Sequence, residues 1–355
     1  MIRPRKHLDK VERDVQPYDN KDGVLRLDMN EYVPCAVTSL YDELKEAFTE
    51  EVVSAYPMVN NAYHSISRLT GIPENKIVLT NGSDGVSLSV LQAFCDPGDK
   101  VASVVPTYGM YEVYANMMGL NFIPVEYDGF ELDQQKILDM ITEDLKVFII
   151  ANPNGNLGLD LSYEFIEKMI KKGYECGTVI LVDEVYAAFV DYGKSAFLKL
   201  TEQYDNLVIA RSFSKSYGLA GVRAGYSVSN EKTRRYLIAV RNNVEINSVA
   251  VAAINIWCKY PDILRQCVDE VNNTKAKLVE ELTEYGYEAR NSKANFILVR
   301  IDEDMKQSVK DKFAAERIAI KWMSVKGESW LRVTVGTLEY MQKFIDAMKE
   351  LVQNR

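Results

Sequence analysis

Between residues 76 and 228 the chain alternates short β-branched runs (77–80, 101–105, 147–151, 179–182 and 207–210) with segments of helical period. No other feature limits the possible folds so strongly. Each run is apolar almost throughout instead of at every second residue, so the strand it forms must be covered on both faces. This predicts a mostly parallel sheet between two helical layers, a three-layer α/β/α domain. After about residue 244 the texture changes to long helical stretches, notably 261–285. Strand-like segments at 295–300, 319–322 and 331–335 follow, then a last helix, which predicts a smaller α+β domain. The expected division is an N-terminal arm of residues 1–30 packing with the small domain, a large domain of residues 31–244 and a small domain of residues 245–355.

An open parallel sheet binds ligands beyond the carboxyl ends of its strands, so the polar residues that follow each run are where chemistry is expected. Four junctions qualify. Thr80-Asn81-Gly82-Ser83-Asp84-Gly85 passes from strand to helix. Its small residues leave backbone N–H groups at a helix N-terminus, which suits a phosphate and equally suits a plain Ser or Asp cap. Asn152-Pro153-Asn154-Gly155-Asn156-Leu157-Gly158 has the composition of a tight turn. Asp183-Glu184-Val185-Tyr186 ends a buried run with a carboxylate, which is costly without a cation or donor, and both an N-cap and a ligand partner are open readings. The fourth junction runs from Arg211-Ser212-Phe213-Ser214-Lys215 through Arg223 to Tyr226 and sets two serines, a lysine and an arginine among small residues. Lys215 is there either a solvated charge or, with its pKa depressed by apolar neighbours, an amine nucleophile.

Composition removes several function classes. Lys plus Arg number 42 against 51 Asp plus Glu, a net charge of −9, the wrong sign for a nucleic-acid or anionic-membrane partner. The N-terminus MIRPRKHLDKVERDV alternates charges where a signal peptide needs an apolar stretch, and no run approaches the ~20 apolar residues of a membrane span. Five cysteines without CxxC spacing, and only His7 and His64 beside them, assemble no Cys/His metal site. No metal is expected, and a reduced, cytoplasmic protein is. The glycines of the fourth junction do not spell GxGxxG, and Gly193-Lys194-Ser195 lacks the leading glycine of a phosphate loop.

Taken in order, Asp183 with Tyr186 three residues on, Ser212-x-Ser214-Lys215, and Arg223 eight residues past the lysine resemble pyridoxal-phosphate enzymes of fold type I. More narrowly the chain resembles the class I/II histidinol-phosphate aminotransferases. Landmarks run from Pro17-Tyr18 and Leu27-Asp28-Met29-Asn30-Glu31 through Tyr56-Pro57 and Pro106-Thr107-Tyr108-Gly109-Met110-Tyr111 to Leu331-Arg332-Val333-Thr334-Val335-Gly336-Thr337, nearly the whole chain. The resemblance implies a seven-stranded large sheet, pyridoxal 5'-phosphate as cofactor and a homodimer. It implies Lys215 as the Schiff-base amine and proton carrier, Asp183 as partner of the ring nitrogen, Tyr186 as donor to the ring oxygen and Tyr108 as the ring stacked on the cofactor. The phosphate would be held by the backbone of Ser83 and Asp84, the hydroxyls of Ser212 and Ser214, Arg223, and Tyr56 reaching across from a second subunit. Arg332 would take a substrate carboxylate or phosphate, with Tyr18, Asn30 and Lys321 approaching the same pocket.

Three positions depart from the pattern. Relatives usually read Asn-Pro-Asn-x-Pro-Thr-Gly, and the asparagine that touches the ring oxygen falls here at Gly155, leaving Asn154 or Asn156 to stand in. Lys321 stands where a second arginine is usual, replacing a bidentate clamp with a point charge. Met58 stands where an acidic residue is common. The implied activity is transfer of an amino group from an amino acid such as glutamate to a small phosphorylated or anionic carbonyl compound. The alternative is a decarboxylase of a phospho-amino acid on the same scaffold. A non-catalytic regulator would need an added DNA-binding module, and about 30 residues before Asn30, without a helix-turn-helix pattern, are too few for one.

Overall fold

A computed structural model describes residues 5–11, 23–31 and 38–353; Pro17, Tyr18 and Cys35 lie outside them. Strand β1 (Leu25–Leu27) belongs to a smaller sheet. The larger sheet is built from β2 (Ile77–Asn81), β3 (Lys100–Val105), β4 (Asn121–Glu126), β5 (Leu145–Ala151), β6 (Val179–Asp183), β7 (Leu207–Ser212) and β8 (Ala224–Val228). The smaller sheet is completed by β9 (Ala289–Asn291), β10 (Phe296–Ile301), β11 (Ile318–Val325) and β12 (Glu328–Thr334). The large sheet has the order β2-β8-β7-β6-β5-β3-β4, with β8 antiparallel to both neighbours and the other pairs parallel. This is the mostly parallel seven-stranded sheet that was expected.

Alternate residues of the central runs enter two different cores, which is why the runs are apolar throughout. Phe148, Ile150, Ile180, Val182, Leu207 and Ile209 pack on one face, and Val147, Ile149, Val179, Leu181 and Val208 on the other. Each such side chain contributes about 1.5–3 kcal/mol of burial. Helix α1 (Gly82–Phe94) follows β2 and α2 (Met110–Met118) follows β3. Helix α3 (Ser248–Trp257) lies past residue 244, yet Ala250, Ala253, Ile254 and Trp257 bury in the core of the large sheet.

The smaller sheet has the order β1-β11-β12-β10-β9, with β1 parallel to β11 and the remaining pairs antiparallel. Helices α4 (Pro261–Glu284) and α5 (Leu338–Gln353) cover it, packing Leu278, Leu282, Phe344 and Met348 against Ile297, Val299, Leu331 and Val333. The N-terminal strand thus joins the small sheet while Asp28, Met29 and Asn30 continue toward the large one.

The cysteines are not all reduced. Cys95, Cys176 and Cys258 are free, whereas Cys267 is disulfide-bonded, contrary to the expected uniformly reduced set. No described helix is long and apolar enough to cross a membrane.

Candidate active site

Three strand ends lie side by side. Ala151 of β5 pairs with Asp183 of β6, and Asp183 pairs with Ala210 of β7. The register therefore gathers the 152–158 turn, the Asp183 carboxylate and the Ser212–Lys215 loop at one edge, although they are far apart in sequence. A buried ion pair backs this edge. Arg211 Nη2 lies 2.7 Å from Glu184 Oε2, and the Ser195 hydroxyl donates to Glu184 Oε1 at 2.7 Å. These contacts offset the desolvation of Arg211, whose pKa is raised, and only part of that of Glu184, whose pKa burial still raises.

The first turn of α1 forms a cradle with β8. A Cβ at Gly225 would lie 2.5 Å from the Gly82 carbonyl carbon and 2.8 Å from Ser83 N, so only glycine lets β8 lie flush against that turn. Arg223, left-handed at φ 60°, brings its guanidinium over Gly82, where a Cβ would lie 2.6 Å from Nη2. Its Nη2 is ion-paired with Asp84 Oδ2 at 2.9 Å. The buried Ser212 and Ser214 approach from β7, with Ser214 N donating to Ser212 Oγ at 3.0 Å.

Asp183 is buried, and the Tyr111 hydroxyl donates to its Oδ2 at 2.5 Å while Val185 N donates to Oδ1 at 3.1 Å. Burial pushes its pKa up to about 6, with Asp84 and Glu184 adding to the rise and the two hydrogen bonds opposing it. No described cation forms an ion pair with it. Tyr111 was missed in the sequence. Its signal was its place one helical turn after Tyr108, and the two rings meet edge-to-face at 5.6 Å. Tyr108 is itself half exposed, as a face open to a planar ligand would be.

Residues 28–30 tie the remaining candidates together. Lys215 Nζ donates to the Met29 carbonyl at 3.1 Å and sits 5.7 Å from the Tyr186 ring centroid. Asn30 Nδ2 donates to the Tyr186 hydroxyl at 3.0 Å and to the Gly155 carbonyl at 3.1 Å. Arg332 Nη1 donates to the Gly155 carbonyl at 2.9 Å and to Asn156 Oδ1 at 2.8 Å, and Nη2 donates to the Asp28 carbonyl at 2.7 Å. Arg332 Nε is buried without a partner. The guanidinium therefore keeps Nε–H and one Nη2–H for an anion. Burial also draws its pKa below the usual arginine value.

The two asparagines proposed to replace the missing side chain at 155 are otherwise engaged. Asn154 Nδ2 donates to the Pro106 carbonyl at 3.0 Å, and its Oδ1 accepts from Asn156 N and Leu157 N, both at 2.8 Å. Asn156 Nδ2 donates to the Thr107 carbonyl and its Oδ1 receives Arg332. Both hold the 152–158 turn against the loop that carries Tyr108. A Cβ at Gly155 would lie 2.7 Å from Tyr186 Cε2, so the Tyr186 ring fills the space a side chain there would need.

Lys321 pairs in register with Arg332 across β11 and β12, which puts both side chains on one face of the sheet. Lys321 is exposed and makes no hydrogen bond or ion pair with another described residue. Tyr56 is 87% exposed and stands away from these contacts on the surface. Tyr18 falls outside the described residues.

The donor set fits pyridoxal phosphate. A helix N-terminus with an arginine over it suits a phosphate, a buried carboxylate with no ion-paired cation among the described residues suits a protonated ring nitrogen, and a lysine hydrogen-bonded among the described residues to one carbonyl is free to bond an aldehyde. The family profile described as "Aminotransferase class I and II" matches residues 25–348. A histidinol-phosphate aminotransferase of Brachyspira hyodysenteriae is 33% identical over 306 residues, covering 84% of this chain and 83% of its own. The crystal structure of the histidinol-phosphate aminotransferase from Clostridium acetobutylicum superposes with a TM-score of 0.83 at 24% identity, over 94% of this chain and all of that one. That from Sinorhizobium meliloti, in complex with pyridoxal-5'-phosphate, gives 0.81 at 20% identity over 93% and 91% of the two chains.

Proposed function

As a member of the class I and II aminotransferases, the chain is a pyridoxal-phosphate-dependent aminotransferase, and we propose that it carries an amino group from an amino acid such as glutamate to a small phosphorylated or anionic carbonyl compound of the histidinol-phosphate kind. The observation that carries the substrate class is Arg332, whose buried Nε has no partner while three of its other N–H groups are fixed by Gly155, Asn156 and Asp28. An orphaned guanidinium edge at a strand end calls for a planar or tetrahedral anion. Lys321, on the same face, adds a second positive charge at the rim.

The cofactor, when bound, supplies an electron sink for the pair released at the substrate carbon. Lys215 would hold it covalently and afterwards, as a free amine parked on the Met29 carbonyl, carry the proton. Asp183 would keep the ring nitrogen protonated, its charge fixed by Tyr111 and Val185 N. Tyr186 would donate to the ring oxygen and Tyr108 would cover the ring. Ser83, Asp84, Ser212, Ser214 and Arg223 would hold the phosphate. Occupation of the cradle would draw Arg223 away from Asp84, its partner at 2.9 Å. Asn154 and Asn156 are left out of this set, because their amides hold the turn.

A homodimer is part of the proposal. Phe48, Val53, Tyr56 and Met58 are all exposed within one short segment, an arrangement suited to a second copy, and Tyr56 would there reach the partner's phosphate site. A cytoplasmic location is proposed with it. Decarboxylation of a phospho-amino acid draws no support from the relatives named. The purified enzyme mixed with glutamate is expected to lose its visible absorbance in favour of the amine form of the cofactor. Arg332→Lys is expected to raise the KM for the anionic acceptor about tenfold to a hundredfold, the loss of a bidentate charge-assisted contact. No spectral change with any amino donor, together with carbon dioxide release from a phospho-amino acid, overturns the reading.

A further inference from the structure

We propose that Asn30 is a positioning residue for Tyr186, fixing the phenol so that its own proton is directed to the cofactor's ring oxygen, a task no side chain at position 155 shares. The inference rests on the aminotransferase reading above. It departs from the expectation that Asn30 meets substrate, because the side chain is only 1% exposed and both its amide protons are engaged.

The direction of the hydrogen bond follows from its neighbour. Asn30 Nδ2 faces the Gly155 carbonyl oxygen at 3.1 Å, and a carbonyl can only accept, so the NH₂ group must be the one placed there. The second proton of that NH₂ meets the Tyr186 oxygen at 3.0 Å. Tyr186 therefore accepts from Asn30, and its own O–H proton must point elsewhere. Lys215, 5.7 Å from the ring centroid, marks the side on which the cofactor would lie.

Asn30 is held for this task from several directions. Its backbone N–H donates to Thr334 Oγ1 at 3.0 Å, its carbonyl accepts from Asn295 Nδ2 at 3.1 Å, and the one proton of the Thr334 hydroxyl lies between the Leu27 carbonyl at 3.0 Å and Asn30 Oδ1 at 3.3 Å. Its φ of 51° lies in the left-handed region, which Asn and Asp tolerate better than other side chains. Among the described residues no other amide bonds to the Tyr186 hydroxyl. Gly155 has no side chain and no room for one, and Asn154 and Asn156 are bonded to the Pro106 and Thr107 carbonyls.

The test is a pH titration of the visible absorbance of the cofactor-loaded enzyme, which reports protonation of the Lys215 linkage. A donor at the ring oxygen favours its anionic form and lowers the midpoint. Asn30→Asp keeps shape and backbone preference but presents a carboxylate, to which Tyr186 would donate instead. The midpoint is expected to rise by about one pH unit or more, the scale of one hydrogen bond to a charged group. Tyr186→Phe should raise it similarly, and the double variant should shift no further. Asn30→Gly, which keeps the left-handed backbone, should move it in the same direction. The charged groups facing the Tyr186 ring, Lys215 and Arg332, are unchanged in all of these variants; Asn30→Asp adds a carboxylate whose charge raises the midpoint by itself, so the double variant is Asn30→Gly with Tyr186→Phe. A midpoint unmoved in Asn30→Asp and Asn30→Gly while Tyr186→Phe shifts it, or additive shifts in the double variant, overturns the proposal, even if thermal stability falls. A wild-type protein that forms no lysine-linked chromophore overturns the aminotransferase reading instead.

Discussion

Asp183→Asn is expected to make the cofactor-free protein more stable at neutral pH while abolishing turnover. The wild-type carboxyl is buried with two hydrogen-bond donors and no ion-paired cation among the described residues, and burial raises its pKa to about 6 from 3.8. About two pH units at ~1.4 kcal/mol each set the cost of its charge near 3 kcal/mol. The folded state binds the proton more tightly than the unfolded state between about pH 4 and 6. Stability therefore falls as pH rises through that window, and the full cost remains above it. Asparagine carries no charge, accepts from Val185 N through its oxygen and can donate to the Tyr111 oxygen. The variant should match the wild type near pH 4 and exceed it by roughly 3 kcal/mol at pH 7.5, read by urea denaturation of cofactor-free protein at several pH values. Cofactor should then stabilise the wild type more than the variant, because only the wild type offers the ring nitrogen an anion. A variant no more stable than the wild type at pH 7.5, or a difference constant from pH 4 to 7.5, refutes the reasoning.

Tyr111→Phe removes the 2.5 Å hydrogen bond that favours the Asp183 anion. It should raise the Asp183 pKa further and lower kcat by about tenfold to a hundredfold, the worth of a buried bond to a charged group; unchanged kcat would remove Tyr111 from the site. Lys275 is buried, its Nζ donates to the Ser292 carbonyl at 2.8 Å and the Ala294 carbonyl at 2.6 Å, and burial lowers its pKa to about 7. Below pH 7 the folded state bears the full cost of the charge, and between about pH 7 and 10 that cost is relieved because only the unfolded chain stays protonated. Wild type should thus gain stability relative to Lys275→Met from pH 7 to 10 in denaturation experiments, and a flat difference would contradict the burial argument.

The central strands were legible because a parallel strand covered on both faces needs apolar residues at every position, as 147–151 and 179–182 have. Two strands of the same sheet were not. Strand β4 (NFIPVE) is an edge strand with a proline, and β8 (AGYSV) is short, glycine-containing and hidden behind the Lys215 loop. Lys215, Asp183, Tyr186 and Arg223 lie at or beside strand ends, where ligand chemistry is expected, and their roles were recognisable because their order and spacing resemble those of pyridoxal-phosphate enzymes. The role of Asn30 was not, since its partners Gly155, Tyr186 and Thr334 are 125, 156 and 304 residues away. Nor was the engagement of Asn154 and Asn156, which depends on how two loops meet. Tyr111 was visible as a letter in a landmark, but its bond to Asp183 depends on how α2 packs against the end of β6.

The identity of the reactive amine is tested most directly by reducing the cofactor-loaded protein with borohydride and mapping its peptides by mass. The phosphopyridoxyl adduct is expected on the peptide that contains Lys215 and to disappear in Lys215→Ala. No adduct there, or an adduct on another lysine that persists in the variant, would contradict the account.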